Sequence, residues 1–89
     1  MRIRQVRIAV VHGKNNLVGY AEMTIDDCFC VRDLKIFRRP TEYSIAMPQA
    51  KLNTGKYKEI AFALDATTRK MIEDTVTAEY EKVAGKRTP

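Results

Sequence analysis

The sequence predicts an α+β domain: a small antiparallel β-sheet of about five strands followed by one C-terminal amphipathic helix. Three observations carry that reading. Residues 2–64 are a succession of short β-branched and aromatic runs that alternate at period two. Turn residues separate these runs at short intervals, as antiparallel neighbours require. Only after residue 64 does the period change, when Ile72, Val76, Tyr80 and Val83 recur at four, four and three to form one stripe of a 3.6-residue helix. Strands first and a helix last places the helix over one face of the sheet.

Taken in order, 2–11 is a half-buried strand with Val6, Ile8 and Val10 on one face and Arg7 and Ala9 on the other. His12-Gly13-Lys14-Asn15-Asn16 is a turn, and 17–25 alternates again, with Leu17, Gly19, Ala21, Met23 and Ile25 facing one way. Asp26-Asp27 marks the next turn, two adjacent acids that are expected to be solvated. The third strand, 28–37, changes parity: Phe29 and Val31 share one face, Leu34 and Ile36 the other. One extra residue switches the facing, so a bulge is expected near Arg32-Asp33. Arg38-Arg39-Pro40-Thr41 is a basic turn before a short apolar strand over 43–47. Pro48 stops that strand, because it has no N–H to give. The segment 49–56 then reads as a polar surface loop whose Asn53-Thr54-Gly55 supplies turn chemistry. A last strand is expected over 57–64, with Ile60, Phe62 and Leu64 on one parity. Asp65-Ala66-Thr67-Thr68 opens the helix with a capping side chain, and Gly85 closes it. One domain over 1–85 and a frayed basic tail over 86–89 follow.

At 89 residues the chain buries a modest core, so a partner subunit would help it considerably. Cys28 and Cys30 share one sheet face, and no further cysteine completes a zinc set. They read as small buried hydrophobes of a reduced, cytoplasmic protein. No apolar leader or membrane-length run occurs, so no membrane contact is expected. The single histidine, His12, lies in a turn away from any serine or cysteine motif, and neither a glycine-rich phosphate loop nor a spaced ligand set is present. The expectation is therefore a protein that is not an enzyme, with no cofactor, no metal and no small-molecule substrate.

Charge gives the positive signal. The net charge is +5, and residues 1–64 carry eleven Lys/Arg against six Asp/Glu while 65–89 carry five of each. The whole excess lies on the strands and their loops, which suits a polyanionic partner. Lys51, Lys56 and Lys58 flank the loop around Gly55, with Tyr57 as a candidate stacking ring. Arg69 and Lys70 fall in the first helical turn, where the macrodipole disfavours cations. Either they are a tolerated surface penalty, or they join the free N–H groups there in an anion site. Thr67 and Thr68 would position the backbone of such a site, and Arg38 and Arg39 are accessory cations. Glu79 falls inside the apolar stripe, either at a wet edge or reaching a basic group across a subunit boundary.

These residues also carry a resemblance. Val6-Arg7-Ile8, Ala21 with Thr24-Ile25-Asp26, Phe29 with Val31 and Asp33, Ala46-Met47-Pro48, Gly55 with Ile60-Ala61, Thr68-Arg69 with Ile72, and Glu79-Tyr80 stand in an order and spacing that resembles the SpoVG (stage V sporulation protein G) family. The resemblance implies a small sheet and helix that dimerise through strands. It also implies a bacterial cytoplasmic regulator that binds DNA and RNA and affects septation, sporulation or virulence expression. It places nucleic-acid contact at Lys51 and Lys58 around the loop and at Thr67, Thr68 and Arg69 at the helix start. Met47, Pro48, Glu79 and Tyr80 are matched as dimer or structural positions. Three departures stand out: Ala50 where relatives carry a further lysine, Arg38-Arg39-Pro40-Thr41 in place of a glycine-rich turn, and Lys86-Arg87 in place of an acidic tail. The alternative reading is a protein-interaction module of the division machinery that binds no nucleic acid.

Overall fold

The computed structural model describes residues 2–12 and 15–85; Gly13, Lys14 and the tail over 86–89 lie outside the described residues. Six strands and one helix follow in order: β1 (Ile3–Val10), β2 (Leu17–Ile25), β3 (Phe29–Arg38), β4 (Tyr43–Ala46), β5 (Gln49–Lys51), β6 (Tyr57–Glu59) and α1 (Ala66–Ala84). The first four form an antiparallel sheet in chain order, and β5 and β6 form a separate two-stranded ribbon. The expected α+β class holds, with a different division of the later strands. The segment 49–56, expected to be all loop, contains β5, and the strand expected over 57–64 ends at Glu59. Pro48 explains the first change: its missing N–H ends β4, but its carbonyl accepts from Ile60 N at 2.9 Å and seeds the ribbon.

The parity change in β3 is resolved as the sequence demands. Ala21 pairs with Leu34 and Met23 with Val31, so Arg32 and Asp33 together oppose Glu22 alone. Asp33 adopts φ 65°, the left-handed conformation that one extra residue needs. The β2–β3 connection is the three-residue turn Asp26-Asp27-Cys28, in which Cys28 N donates to Ile25 O at 3.1 Å. Asp26 and Asp27 both have positive φ, 52° and 60°, which matches the right-handed twist of the flanking strands. These acids are exposed, as expected, but they are also partnered. Asp26 Oδ1 accepts from Arg2 N at 2.9 Å, and Asp27 Oδ1 accepts from Arg4 Nε at 3.3 Å. The turn therefore pins the start of β1, an edge strand.

One face of the four-stranded sheet carries the core. Ala21, Met23, Leu34, Ile36, Ile45 and Met47 meet Ile72, Val76 and Tyr80 of α1, all buried. Val83, counted with that stripe, is 54% exposed because the helix has run past the sheet. The Tyr80 ring stands 5.2 Å from that of Tyr43 at a tilted angle. It also occupies the space above Gly19, where an added Cβ would lie 3.2 Å from Tyr80 Cε1 and 3.1 Å from Ala9 O. Both cysteines are exposed free thiols, not buried hydrophobes, since Cys28 lies in the turn and Cys30 faces away from the core.

Candidate nucleic-acid interface

The β5–β6 ribbon presents the lysines. Its turn is closed by Gly55 N donating to Leu52 O at 3.0 Å and Leu52 N donating to Lys56 O at 2.7 Å. Gly55 takes φ 89°, open to glycine at no steric cost. Across the ribbon Lys51 opposes Tyr57, and Ala50 opposes Lys58. Strand alternation then puts Lys51 and Tyr57 on one face and Lys56 and Lys58 on the other, so the cations straddle the ribbon. All three lysines are exposed, as is Tyr57 at 64%. None of the three makes a hydrogen bond or ion pair through its side chain with another described residue.

The start of α1 is arranged differently. Asp65 is the N-cap, and its Oδ1 accepts from Thr68 N at 2.7 Å. That backbone bond holds the Asp65 carboxyl below its ordinary range. A carboxylate of the chain itself therefore fills the position an incoming anion would take. Arg69 is engaged through all three guanidinium nitrogens. Its Nη2 donates to Ile45 O at 2.9 Å, its Nε to Glu73 Oε2 at 3.1 Å, and its Nη1 lies 4.0 Å from Glu59 Oε2. This one side chain ties α1 to the end of β4 and to the ribbon. Lys70 pairs with Asp74 at 3.3 Å, one helical turn on, in the open. Thr67 is exposed and Thr68 half-buried. The structure thus brings the ribbon and the helix start together at Glu59 and Arg69, but with acids between the two sets of cations.

The accessory arginines separate. Arg38 faces the helix side, close enough to Tyr80 to oppose the rise in its phenol pKa that burial causes and Tyr43 reinforces. The Arg39 guanidinium lies 5.5 Å from the centre of the Phe37 ring, on the opposite face of the sheet. Met47, Pro48 and Tyr80 are buried within the chain itself, Met47 and Tyr80 as part of its core. Glu79 is half-buried in the groove between α1 and β1, beside Ile3, Gln5 and Lys82, and makes no ion pair with another described residue. The contacts of Arg69 with Ile45 and Glu59 were not legible in the sequence, because these partners lie 24 and 10 residues upstream.

The SpoVG family model matches residues 1–82. This chain belongs to the SpoVG family. Among similar proteins, one from Anaeromyxobacter sp. (strain Fw109-5) is 42% identical over 92% of this chain and 84% of its own length. One from Myxococcus xanthus (strain DK1622) is 42% identical over 92% and 82%. One from Bdellovibrio bacteriovorus is 38% identical over 92% and 75%. Each bears the name "Putative septation protein SpoVG", which names no reaction. Within the described residues of this SpoVG-family chain, no helix is long and apolar enough to cross a membrane. Nor does any group of three or more His, Cys, Asp or Glu there come together to hold a metal ion.

Proposed function

We propose that this chain is a nucleic-acid-binding regulator, acting in the cytoplasm as a homodimer and not as an enzyme, with the β5–β6 ribbon as its phosphate-contacting element. The observation that carries the reading is the contrast between two sets of cations. Arg69 and Lys70 are matched by carboxylates of the same chain, whereas Lys51, Lys56 and Lys58 meet none among the described residues. Exposed lysines on a narrow ribbon can neutralise phosphates on either side of it, and Tyr57 beside Lys51 offers a ring for a base. Arg69 supports this surface through Glu59, and Thr67, Thr68 and Lys70 follow as secondary candidates from the same helix start. The test is a filter-binding titration with duplex DNA and with single-stranded RNA at two salt concentrations. Saturable binding that weakens with salt is expected for at least one of them; no binding to either at the lower salt overturns the reading.

Self-association rests on the segment that follows the ribbon. Ile60, Phe62 and Leu64, alternate residues of the bent segment between β6 and α1, are 64, 56 and 89% exposed, a large apolar exposure for a domain short of core. A two-stranded ribbon is marginal by itself, and a second copy brought up antiparallel would extend it while covering these side chains in a two-fold interface. Sedimentation equilibrium is expected to give a dimer mass that Phe62→Ser with Leu64→Ser reduces to that of the monomer. A monomeric parent protein would count against it. The same exposure favours the second reading, an interaction module of the septation machinery. That reading gains if the chain is a monomer and binds neither nucleic acid.

A further inference from the structure

The helix covers only one face of the four-stranded sheet, and the other face has a definite chemistry. Core parity in each strand fixes which residues point away from α1. From β1 these include Arg7 and Ala9, from β2 Tyr20, Glu22 and Thr24, with Leu17 brought opposite Phe37 by a register shift, from β3 Cys30, Arg32, Lys35 and Phe37, and from β4 Ser44 and Ala46. Ala9, Tyr20, Lys35 and Ala46 stand directly opposite one another across all four strands. Phe37 is two residues beyond Lys35, so the rings of Tyr20 and Phe37 are diagonal neighbours, about 7–8 Å apart at the backbone. Ala9 stands beside Tyr20 on the β1 side and Ser44 beside Phe37 on the β4 side, small residues that leave each ring open at its outer edge, while Lys35 and Leu17 are their respective partners across β2–β3. Tyr20 is 38% exposed, and a shallow depression beside it is lined by Arg7, Ala9, Glu22 and Arg32.

A solvated antiparallel face ordinarily reads as mixed polar residues. Here two aromatic rings are bordered by Arg7, Arg32, Lys35 and Arg39, against the acids Glu22 and Asp33. Arg32 bonds Glu22 at 2.7 Å, and Arg39 lies over the Phe37 ring. The balance on this face is positive.

We infer that the open face of the β1–β4 sheet is a stacking platform for single-stranded nucleic acid, with bases on Tyr20 and Phe37 and the flanking phosphates on Arg7 and Lys35. The inference rests on the nucleic-acid reading above and assigns it a second surface, one that distinguishes single strands from duplex. Stacking needs an exposed base, which a duplex does not present, whereas phosphate contacts by the ribbon lysines serve both. The Arg39 guanidinium already occupies the stacking position on Phe37, so an incoming base takes its place or is held between ring and guanidinium. Glu22, an acceptor beside Tyr20, suits the exocyclic amino groups of adenine and cytosine.

The test compares the parent protein with Tyr20→Ala, Tyr20→Phe and Tyr20→Leu, using fluorescein-labelled poly-A RNA and a duplex DNA of equal length. Tyr20→Ala and Tyr20→Leu are expected to weaken single-strand binding about tenfold while changing duplex binding less than about twofold. Tyr20→Phe, which keeps the ring, retains the parent affinity. Tyr20→Trp reports stacking directly, with its fluorescence quenched by poly-A and not by duplex. Equal affinity of parent, Tyr20→Ala, Tyr20→Phe and Tyr20→Leu for poly-A overturns the platform while leaving the nucleic-acid reading intact. Failure of the parent to bind either probe overturns both. A Tyr20→Ala protein that loses its dimer mass also overturns the platform and gives this face to a second copy of the chain.

Discussion

Replacing Arg69 with alanine is expected to cost the fold about 1.5–3 kcal/mol, and the loss will be one of stability, not of phosphate contact. The guanidinium joins three elements: the Ile45 carbonyl at the end of β4, Glu73 on its own helix, and Glu59 at the end of β6. Removing it leaves the carbonyl without its donor and two carboxylates facing each other with no cation between them. The side chain is 36% exposed, so water softens the ion pairs, and the bond to Ile45 O supplies the larger share of the effect. Lysine will not restore it, because a single ammonium cannot serve a carbonyl and two carboxylates in the planar geometry of the fork. Urea unfolding of Arg69→Ala and Arg69→Lys checks this, with both midpoints expected below that of the parent. A parent-like midpoint joined to weakened nucleic-acid binding would make Arg69 a phosphate ligand instead.

The second large effect is on binding. Lys51→Gln, Lys56→Gln and Lys58→Gln together are expected to weaken affinity for duplex DNA on the order of 10²-fold at about 0.1 M salt. Each lysine that neutralises a phosphate releases counterions, so removing three such cations at once multiplies their separate effects. The unfolding midpoint should stay where it is, because all three side chains are exposed and make no pairing with another described residue. Equilibrium binding and urea unfolding on the same preparation separate the two effects.

How much of this was legible in the sequence depended on whether the deciding neighbour was local. The bulge at Arg32-Asp33 was readable, because Val31 and Leu34 both need the core and their spacing forbids it on one regular strand. A capped helix start over 65–68 was readable for the same reason, and the structure makes Asp65 the cap, with its partner Thr68 N three residues away. Strand β5 was not, since Gln49–Lys51 is too short to show alternation and follows a proline that ordinarily ends a ladder. Ile60, Phe62 and Leu64 have the alternation of a buried strand, yet after the bond from Ile60 N to Pro48 O the described residues offer them no strand partner, and all three are exposed. Their pattern is that of a surface awaiting company. The exposure of Val83 and of the two cysteines turned on where the helix and sheet end, which periodicity does not set.

At the candidate site the sequence grouped cations that the fold treats in two ways: Arg69 and Lys70 are paired within the chain, and Lys51, Lys56 and Lys58 are not paired with another described residue. Cations at a helix start oppose the macrodipole, and that anomaly correctly marked Arg69 and Lys70 as needing an explanation. The explanation is in-chain: Glu59, Glu73 and Asp74 supply the negative charge that a phosphate would otherwise bring. Glu59 lies on the ribbon and reaches α1 only through the fold, so no local pattern could have paired it with Arg69.

The dependence of log K on log salt, measured for the parent and for the triple lysine variant on one duplex, tests the central claim most directly. The account predicts a steep negative slope for the parent and one shallower by about three for the variant. Two parallel lines would place the phosphate contacts elsewhere and contradict it.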